Sequence, residues 1–337
     1  MRIAIVSDAW HPQPNGVVRV LSSLRDRLLT AGHEVMVISP DLFRTIPCPT
    51  YPEIPLALFP GPGVRRRLSE FKPQAVHIAT EGPLGWAARN ECLRRGWPFT
   101  TAYHTKFPQY IHARTKLPLP LLYAAIRRFH APSKAVLCPS HSVYEELAQW
   151  GFTNQKSWSH GVDTSVFHPQ GKDAFDFPRP IHLYVGRVTV EKNLPAFLDL
   201  DLPGTKVVVG SGPQRDSLIK RYPDAKFIIA HGDVQLSSYF SAGDVFVFPS
   251  RTDTFGLVML EALASGVPVA AFPVPGPQDV LADMTPGHPV GVLNNDLAAA
   301  AAQALTLDPN DCRAYAEKFS WDIVVQQFLS YLAPIGC

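Results

Sequence analysis

Phe248-Pro249-Ser250-Arg251-Thr252-Asp253-Thr254-Phe255-Gly256-Leu257-Val258-Met259-Leu260-Glu261-Ala262-Leu263-Ala264-Ser265-Gly266 is the stretch whose reading decides the fold. Asp244 to Phe248 (DVFVF) reads as a buried strand, because its last four residues are β-branched or aromatic and the run is too short for a helix. Pro249 and Ser250 end it. Thr254-Phe255-Gly256 opens a helix over about Leu257 to Ala264, which Ser265-Gly266 stops. Gly256 lets the first-turn N–H groups approach a ligand closely, and a helix N-terminus favours an anion. Asp253 falls in the loop at the C-terminal end of the strand. Glu261 falls about two turns into the helix, so both carboxylates can face one crevice. Such a crevice is where open α/β sheets bind ligands.

Working outward, His182-Leu183-Tyr184-Val185-Gly186-Arg187-Val188-Thr189-Val190-Glu191-Lys192-Asn193 repeats the arrangement. A strand ends at Gly186, and Arg187 and Lys192 flank the loop that leads into a helix. Taken alone they are two surface cations; fixed together they can neutralise a diphosphate and stabilise charge building on it. Near the N-terminus, Ile3 to Val6, a helix from Val17 to about Ala31 and Glu34 to Ile38 form a βαβ unit. Asn15-Gly16 places flexible backbone at the positive end of that helix, where a phosphate can bind. No GxGxxG follows the first strand, which argues against a dinucleotide dehydrogenase. Phe99 to Thr105 reads as a further strand with His104 at its exit. A neutral imidazole there can donate a hydrogen bond to a hydroxyl.

The order and spacing of Asn15-Gly16, His104, Arg187/Lys192 and Asp253…Glu261 resemble those of the retaining glycosyltransferases of family 4, over nearly the whole chain. The resemblance implies an α/β protein of GT-B fold, with two doubly wound Rossmann-like domains facing a central cleft. Its expected parts are an acceptor-side domain at 1–168, a linker at 169–180, a nucleotide-sugar-binding domain at 181–318, and a final helix at 319–337 returning to the first domain. It implies that Glu261 holds the ribose of a nucleotide-sugar and that Asp253, where the family usually has Glu, contacts the donor sugar. The backbone of Thr254, Phe255, Gly256 and Leu257 is then expected to meet sugar and diphosphate. Arg187 and Lys192, beside Gly186, are expected to stabilise the leaving diphosphate, with Asn15 and Gly16 over it and His104 at the sugar. The implied activity is retaining transfer of a hexose from GDP-mannose, UDP-glucose or UDP-glucuronate to a lipid or lipid-linked glycan, with an α-glycosidic product. Transfer is expected on the front face, with the leaving phosphate taking the acceptor proton. No metal or other cofactor is expected, the nucleotide-sugar being a substrate. A nucleotide-sugar epimerase or hydrolase of the same fold, and a non-catalytic nucleotide-sugar-binding protein, are the alternatives.

Composition bounds the partners. The chain has 337 residues, 46% hydrophobic and 18% charged, enough for two cores. No apolar run reaches the roughly 18–20 residues of a spanning helix. Met1 to Asp8 reads as a strand and not a signal peptide. The five cysteines are scattered without a CxxC, so free thiols and no zinc site are expected. Residues 1–168 hold 19 Lys and Arg against 11 Asp and Glu, a net +8; residues 169–337 hold 12 against 18, a net −6. A basic half suits an anionic partner. Nucleic acid is not expected, because no binding motif accompanies the charge. An anionic membrane surface is the better match, through Arg65, Arg66, Arg67 and the mixed apolar and basic segment that carries Lys106, Arg114, Lys116, Arg127 and Arg128. The same segment reads equally as an acceptor-side helix packing its Leu/Ile face on the core. The expected location is cytoplasmic, peripheral at the inner face of the membrane.

Overall fold

The computed structural model describes residues 1–13, 16–48, 51–253 and 255–336. It divides into two compact units, Met1–His160 with Trp321–Cys337, and Gly161–Ser320. The first contains β1 (Arg2–Val6), α1 (Gly16–Thr30), β2 (Glu34–Ile38), β3 (Thr45–Cys48), β4 (Tyr51–Ala57), α2 (Gly61–Phe71), β5 (Ala75–Ile78), α3 (Pro83–Arg95), β6 (Thr100–Ala102), α4 (Phe107–Thr115), α5 (Leu119–His130), β7 (Val136–Cys138), α6 (His141–Gln149) and β8 (Gln155–Ser157). Its main sheet runs β2-β1-β5-β6-β7-β8, with every pair parallel. Ile3, Ala4, Ile5 and Val6 are all fully buried, as expected of a parallel strand covered on both faces. The prolines around 48–55 mark an irregular loop, but on either side of the undescribed residues 49 and 50, β3 and β4 pair antiparallel with a register shift at Pro47/Cys48. A two-stranded edge ribbon tolerates proline where a central strand does not.

The second unit contains β9 (Ile181–Val185), α7 (Pro195–Leu198), β10 (Thr205–Val209), α8 (Arg215–Arg221), β11 (Lys226–Ile228), α9 (Asp233–Ala242), β12 (Val245–Phe248), α10 (Leu257–Ala264), β13 (Val269–Ala271), α11 (Pro275–Val280), β14 (Gly291–Leu293), α12 (Leu297–Ala304) and α13 (Pro309–Glu317). The sheet runs β11-β10-β9-β12-β13-β14 and is parallel throughout. After β11 the chain returns to pair β12 with the other side of β9. The strand order therefore reverses between β9 and β12, and the loops at their C-terminal ends flank a topological switch point. Apart from Glu261, α10 is apolar on all sides; it is buried from Met259 to Ala264 and packed against α13, α9 and α11 as well as β12 and β13.

Residues 169–180 form part of the second unit and not a free linker. Phe175 is buried in its core and stacks on Tyr239 with ring centroids 5.1 Å apart. Lys172 donates to the Gly243 carbonyl at 2.5 Å. Phe175 and Phe177, stacked at 6.0 Å, decide the packing of a stretch whose prolines and charges suggest an open connection. The first unit ends at His160, and the chain re-enters it with α14 (Trp321–Tyr331). α14 packs on α1, and its Val324 carbonyl accepts a 3.0 Å hydrogen bond from Trp158 Nε1. Among the described residues no helix is long and apolar enough to cross a membrane.

Candidate functional site

In the second unit the two switch-point loops are tied together. The Tyr184 hydroxyl, at the end of β9, donates to the Arg187 carbonyl at 2.9 Å. Asn193, in the left-handed region at φ 55°, donates its side-chain amide to the Pro249 carbonyl at 3.1 Å, and Ser250 Oγ donates to the Glu191 carbonyl at 3.3 Å. These bonds bring Lys192 to Asp253, 61 residues later, and Lys192 Nζ donates directly to Asp253 Oδ1. The two side chains are only 18% and 20% exposed. Asp253 Oδ2 is buried with no hydrogen-bond partner among the described residues. Arg187 is half exposed, with Glu191 3.4 Å from its guanidinium. The β10 turn closes on the same loop: Val188 N–H donates to the Ser211 carbonyl at 2.8 Å. A Cβ on Gly210, at φ 150°, would lie 2.0 Å from the Gly186 carbonyl oxygen, so only glycine lets these two backbones approach.

Gly256, at φ 90°, is the N-cap of α10 and offers no side-chain cap to its first N–H groups. Glu261 lies just over one turn into α10, nearer its start than the two turns expected from sequence, and is 4% exposed. A carboxylate buried on an otherwise apolar helix is the exception to hydrophobic burial that calls for a functional reason. The Phe255 side chain packs into the core, so a ligand can meet it only through its backbone; Leu257 is partly buried against the same core. Thr254 and Asn15 lie outside the described residues, and Gly16 is the first residue of α1. Arg251, to which sequence reading gave no role, stacks over Phe272 with its guanidinium carbon 3.6 Å from the ring centroid.

In the first unit His104 lies two residues beyond β6 and is 8% exposed. Its ring stacks on His160 at 5.8 Å and meets Trp158 edge-on at 6.0 Å. Burial pushes its pKa down to about 4, and that of His77 and His160 to about 3, each lowered further by neighbouring His104. All three imidazoles are therefore neutral at physiological pH. The unfolded chain takes up these protons near the ordinary histidine value of about 6.5 while the folded unit does not. Stability is thus expected to fall as pH drops from about 6.5 toward 4; a lower melting temperature at pH 5 than at pH 7, lessened in His77→Gln, checks it.

A buried carboxylate in this unit escaped the sequence reading. Asp8, directly after β1, is buried; its carboxylate accepts from Thr80 Oγ1 at 2.9 Å and from the N–H groups of Leu84 and Gly85 at 2.9 and 3.3 Å. Burial raises its pKa while these bonds lower it. It serves as a fixed cap on α3, binding the β1 and β5 loops together at that sheet's own switch point.

The basic residues are divided. Arg65 pairs with the buried Glu91 at 3.3 Å, Arg66 lies 4.0 Å from Glu70, and Arg67 covers the Phe43 ring and donates to the Leu42 carbonyl at 3.1 Å. The run is thus tied into its own unit. Lys106 pairs with Glu146 at 2.7 Å, and Arg127 donates to the Trp150 carbonyl at 3.2 Å. Lys116 and Arg128 are exposed, and the Arg114 side chain lies outside the described residues. The segment forms two helices broken at Leu117-Pro118. Tyr123 and Phe129 of α5 are buried, while Leu117 and Leu121 are exposed, Leu121 by 65%.

Asp199 and Asp201 stand in an Asp-x-Asp spacing that the expectation of no metal overlooked. Asp199 Oδ1 accepts from the Tyr222 hydroxyl at 2.6 Å and lies 3.4 Å from Arg221, a structural engagement. Among the described residues no three His, Cys, Asp or Glu side chains are grouped to hold a metal ion.

Residues 14–166 match the family model Glycosyltransferase Family 4, and residues 179–308 match Glycosyl transferases group 1. A GDP-mannose-dependent alpha-mannosyltransferase of Mycolicibacterium smegmatis is 31% identical over 90% of this chain and 88% of its own. An alpha-monoglucosyldiacylglycerol synthase of Streptococcus pneumoniae is 26% identical over 92% of this chain and 79% of its own. In fold, a sucrose-phosphate synthase from Thermosynechococcus elongatus superposes with a TM-score of 0.73 at 19% identity, over 98% of this chain and 97% of that one. Two parallel six-stranded sheets, the two family matches and the full-length relative together identify the chain as a member of the family 4 glycosyltransferases, with the GT-B fold.

Proposed function

We propose that the protein is a retaining, metal-independent hexosyltransferase that uses GDP-mannose and forms an α-glycosidic bond to a lipid or lipid-linked glycan. The observation that carries this reading is the Lys192–Asp253 contact at the switch point of the second unit, which puts one cation and one carboxylate side by side on fixed loops. Lys192 and Arg187 bind the diphosphate and stabilise the charge that develops as the glycosidic bond breaks. Asp253, through its free Oδ2, accepts from a hydroxyl of the transferred sugar, and Glu261 accepts from the ribose. His104, neutral, donates to the sugar. The bond to the leaving phosphate oxygen breaks as the acceptor oxygen attacks from the same face, and that phosphate oxygen takes the acceptor proton. The donor assignment is favoured by the GDP-mannose-dependent relative.

The lipid acceptor is favoured by the diacylglycerol-glucosylating relative and by the exposed Leu117 and Leu121 beside Lys116 and Arg128, a mixture suited to an anionic bilayer surface. UDP-glucose is the second donor to test, on the strength of the same relative.

The purified protein is incubated with radiolabelled GDP-mannose, UDP-glucose or UDP-glucuronate and total lipid, with and without EDTA. Label from GDP-mannose is expected in the organic phase, at an unchanged rate under EDTA, and NMR of the product is expected to give an α-anomer. Free labelled mannose without lipid product would make the protein a hydrolase; intact donor throughout would make it a binding protein.

A further inference from the structure

His104 is not held by its own strand alone. It leaves β6 after Ala102, and its ring is flanked by two aromatic groups from the segment that follows β8. His160 lies on its face, 25° from parallel at 5.8 Å, and Trp158 lies at its edge, 67° inclined at 6.0 Å. Trp158 and His160 also meet each other edge to face at 5.8 Å. The indole cannot rotate freely: it is fully buried, its Nε1–H donates to the Val324 carbonyl of α14 at 3.0 Å, and Phe328 of the same helix packs 5.5 Å from it. Phe328 also presses on His77, the buried histidine of β5, at 5.0 Å.

We infer that His160 and Trp158 are positioning residues for sugar transfer: together they fix the ring plane of His104, and α14 anchors them through the Trp158–Val324 bond. An imidazole on a short loop otherwise turns about two side-chain torsions, and only one ring plane aims its nitrogen at a sugar hydroxyl. Stacking on one face and an edge contact on the side remove that freedom before the donor arrives, which is preorganisation. His160 itself reaches no substrate in this account, and its contribution is the flat ring. This inference rests on the transferase reading, because it presumes that His104 meets the sugar.

The test compares His160→Ala, His160→Phe and Trp158→Phe. His160→Ala is expected to lower kcat about 30- to 100-fold, since a misplaced catalytic group costs up to about 100-fold, with KM for the donor within about threefold. His160→Phe keeps a ring to stack on and is expected to stay within about fivefold of the wild type. Trp158→Phe loses the N–H to Val324 and is expected to fall between them. Ring-nitrogen NMR of His104 supplies a readout independent of turnover: one sharp set of resonances in the wild type and in His160→Phe, and shifted or broadened ones in His160→Ala. Unchanged kcat and unchanged His104 resonances in His160→Ala would overturn the inference. So would a His160→Phe variant as slow as His160→Ala, which would give the imidazole a chemical role instead. If the wild type transfers no sugar, the transferase reading fails while the NMR comparison still decides whether His160 orients His104.

Discussion

Lys192→Ala is expected to lower kcat/KM for sugar transfer about 10³-fold, most of it in kcat, because a fixed donor aimed at developing negative charge is worth about that much. In the proposed mechanism charge passes to the diphosphate as the glycosyl bond breaks, and the Lys192 ammonium is the group that meets it. Its loop is already held by Asn193 on the Pro249 carbonyl and by Ser250 on the Glu191 carbonyl. An interaction that strengthens only in the transition state appears in kcat and leaves KM nearly unchanged. The same substitution leaves the partly buried Asp253 carboxylate without its cation, a loss of about 1–3 kcal/mol. Lys192→Ala/Asp253→Asn should therefore melt higher than Lys192→Ala while remaining inactive. Initial rates and thermal melts read both effects. Turnover within tenfold of the wild type would remove Lys192 from the leaving-group role.

Asp253→Asn is expected to separate binding from transfer. The amide keeps the shape and one acceptor oxygen but drops the charge, so Lys192 loses its resident partner and turns wholly to the diphosphate. Removing a carboxylate within several ångströms of a polyanion relieves about 1 kcal/mol or more of repulsion at the effective dielectric of a protein surface. GDP without sugar should bind about five- to tenfold tighter by calorimetry. Transfer should fall about 10²–10³-fold if, as proposed, Asp253 is the sugar's charge-assisted acceptor. The opposing directions are the point of the test. Weaker GDP binding with unimpaired transfer would mean that Asp253 serves only to hold the Lys192 loop.

The strand into Phe248 and the helix from Leu257 were legible because each is a contiguous run whose composition admits one reading. Glu261 was legible through its spacing from Asp253 across the strand-to-helix turn and through the family resemblance; its burial was not. The Lys192–Asp253 contact was not, since it depends on β9 and β12 being neighbours, and sheet order is set by how several βα units pack together, not by any one of them. Asp8 went unread because nothing local distinguishes a helix-capping carboxylate from a solvated one when its partners, Thr80, Leu84 and Gly85, lie more than seventy residues away. His160 stood in a turn-rich stretch whose residues suggest only a change of direction. Proline misled twice, at the antiparallel β3–β4 pair and at residues 169–180, where Phe175 outweighs it.

Because α14 completes the first unit, the second is an insertion in it, and this bears on events at the ribosome. Residues 161–320 form a contiguous unit that can collapse as soon as they emerge. Residues 1–160 lack α14, and Trp158 its acceptor, until Val324 has emerged. A released chain ending near residue 320 should therefore show a protease-resistant later half and a digestible earlier one, with both resistant in a chain that runs through residue 331.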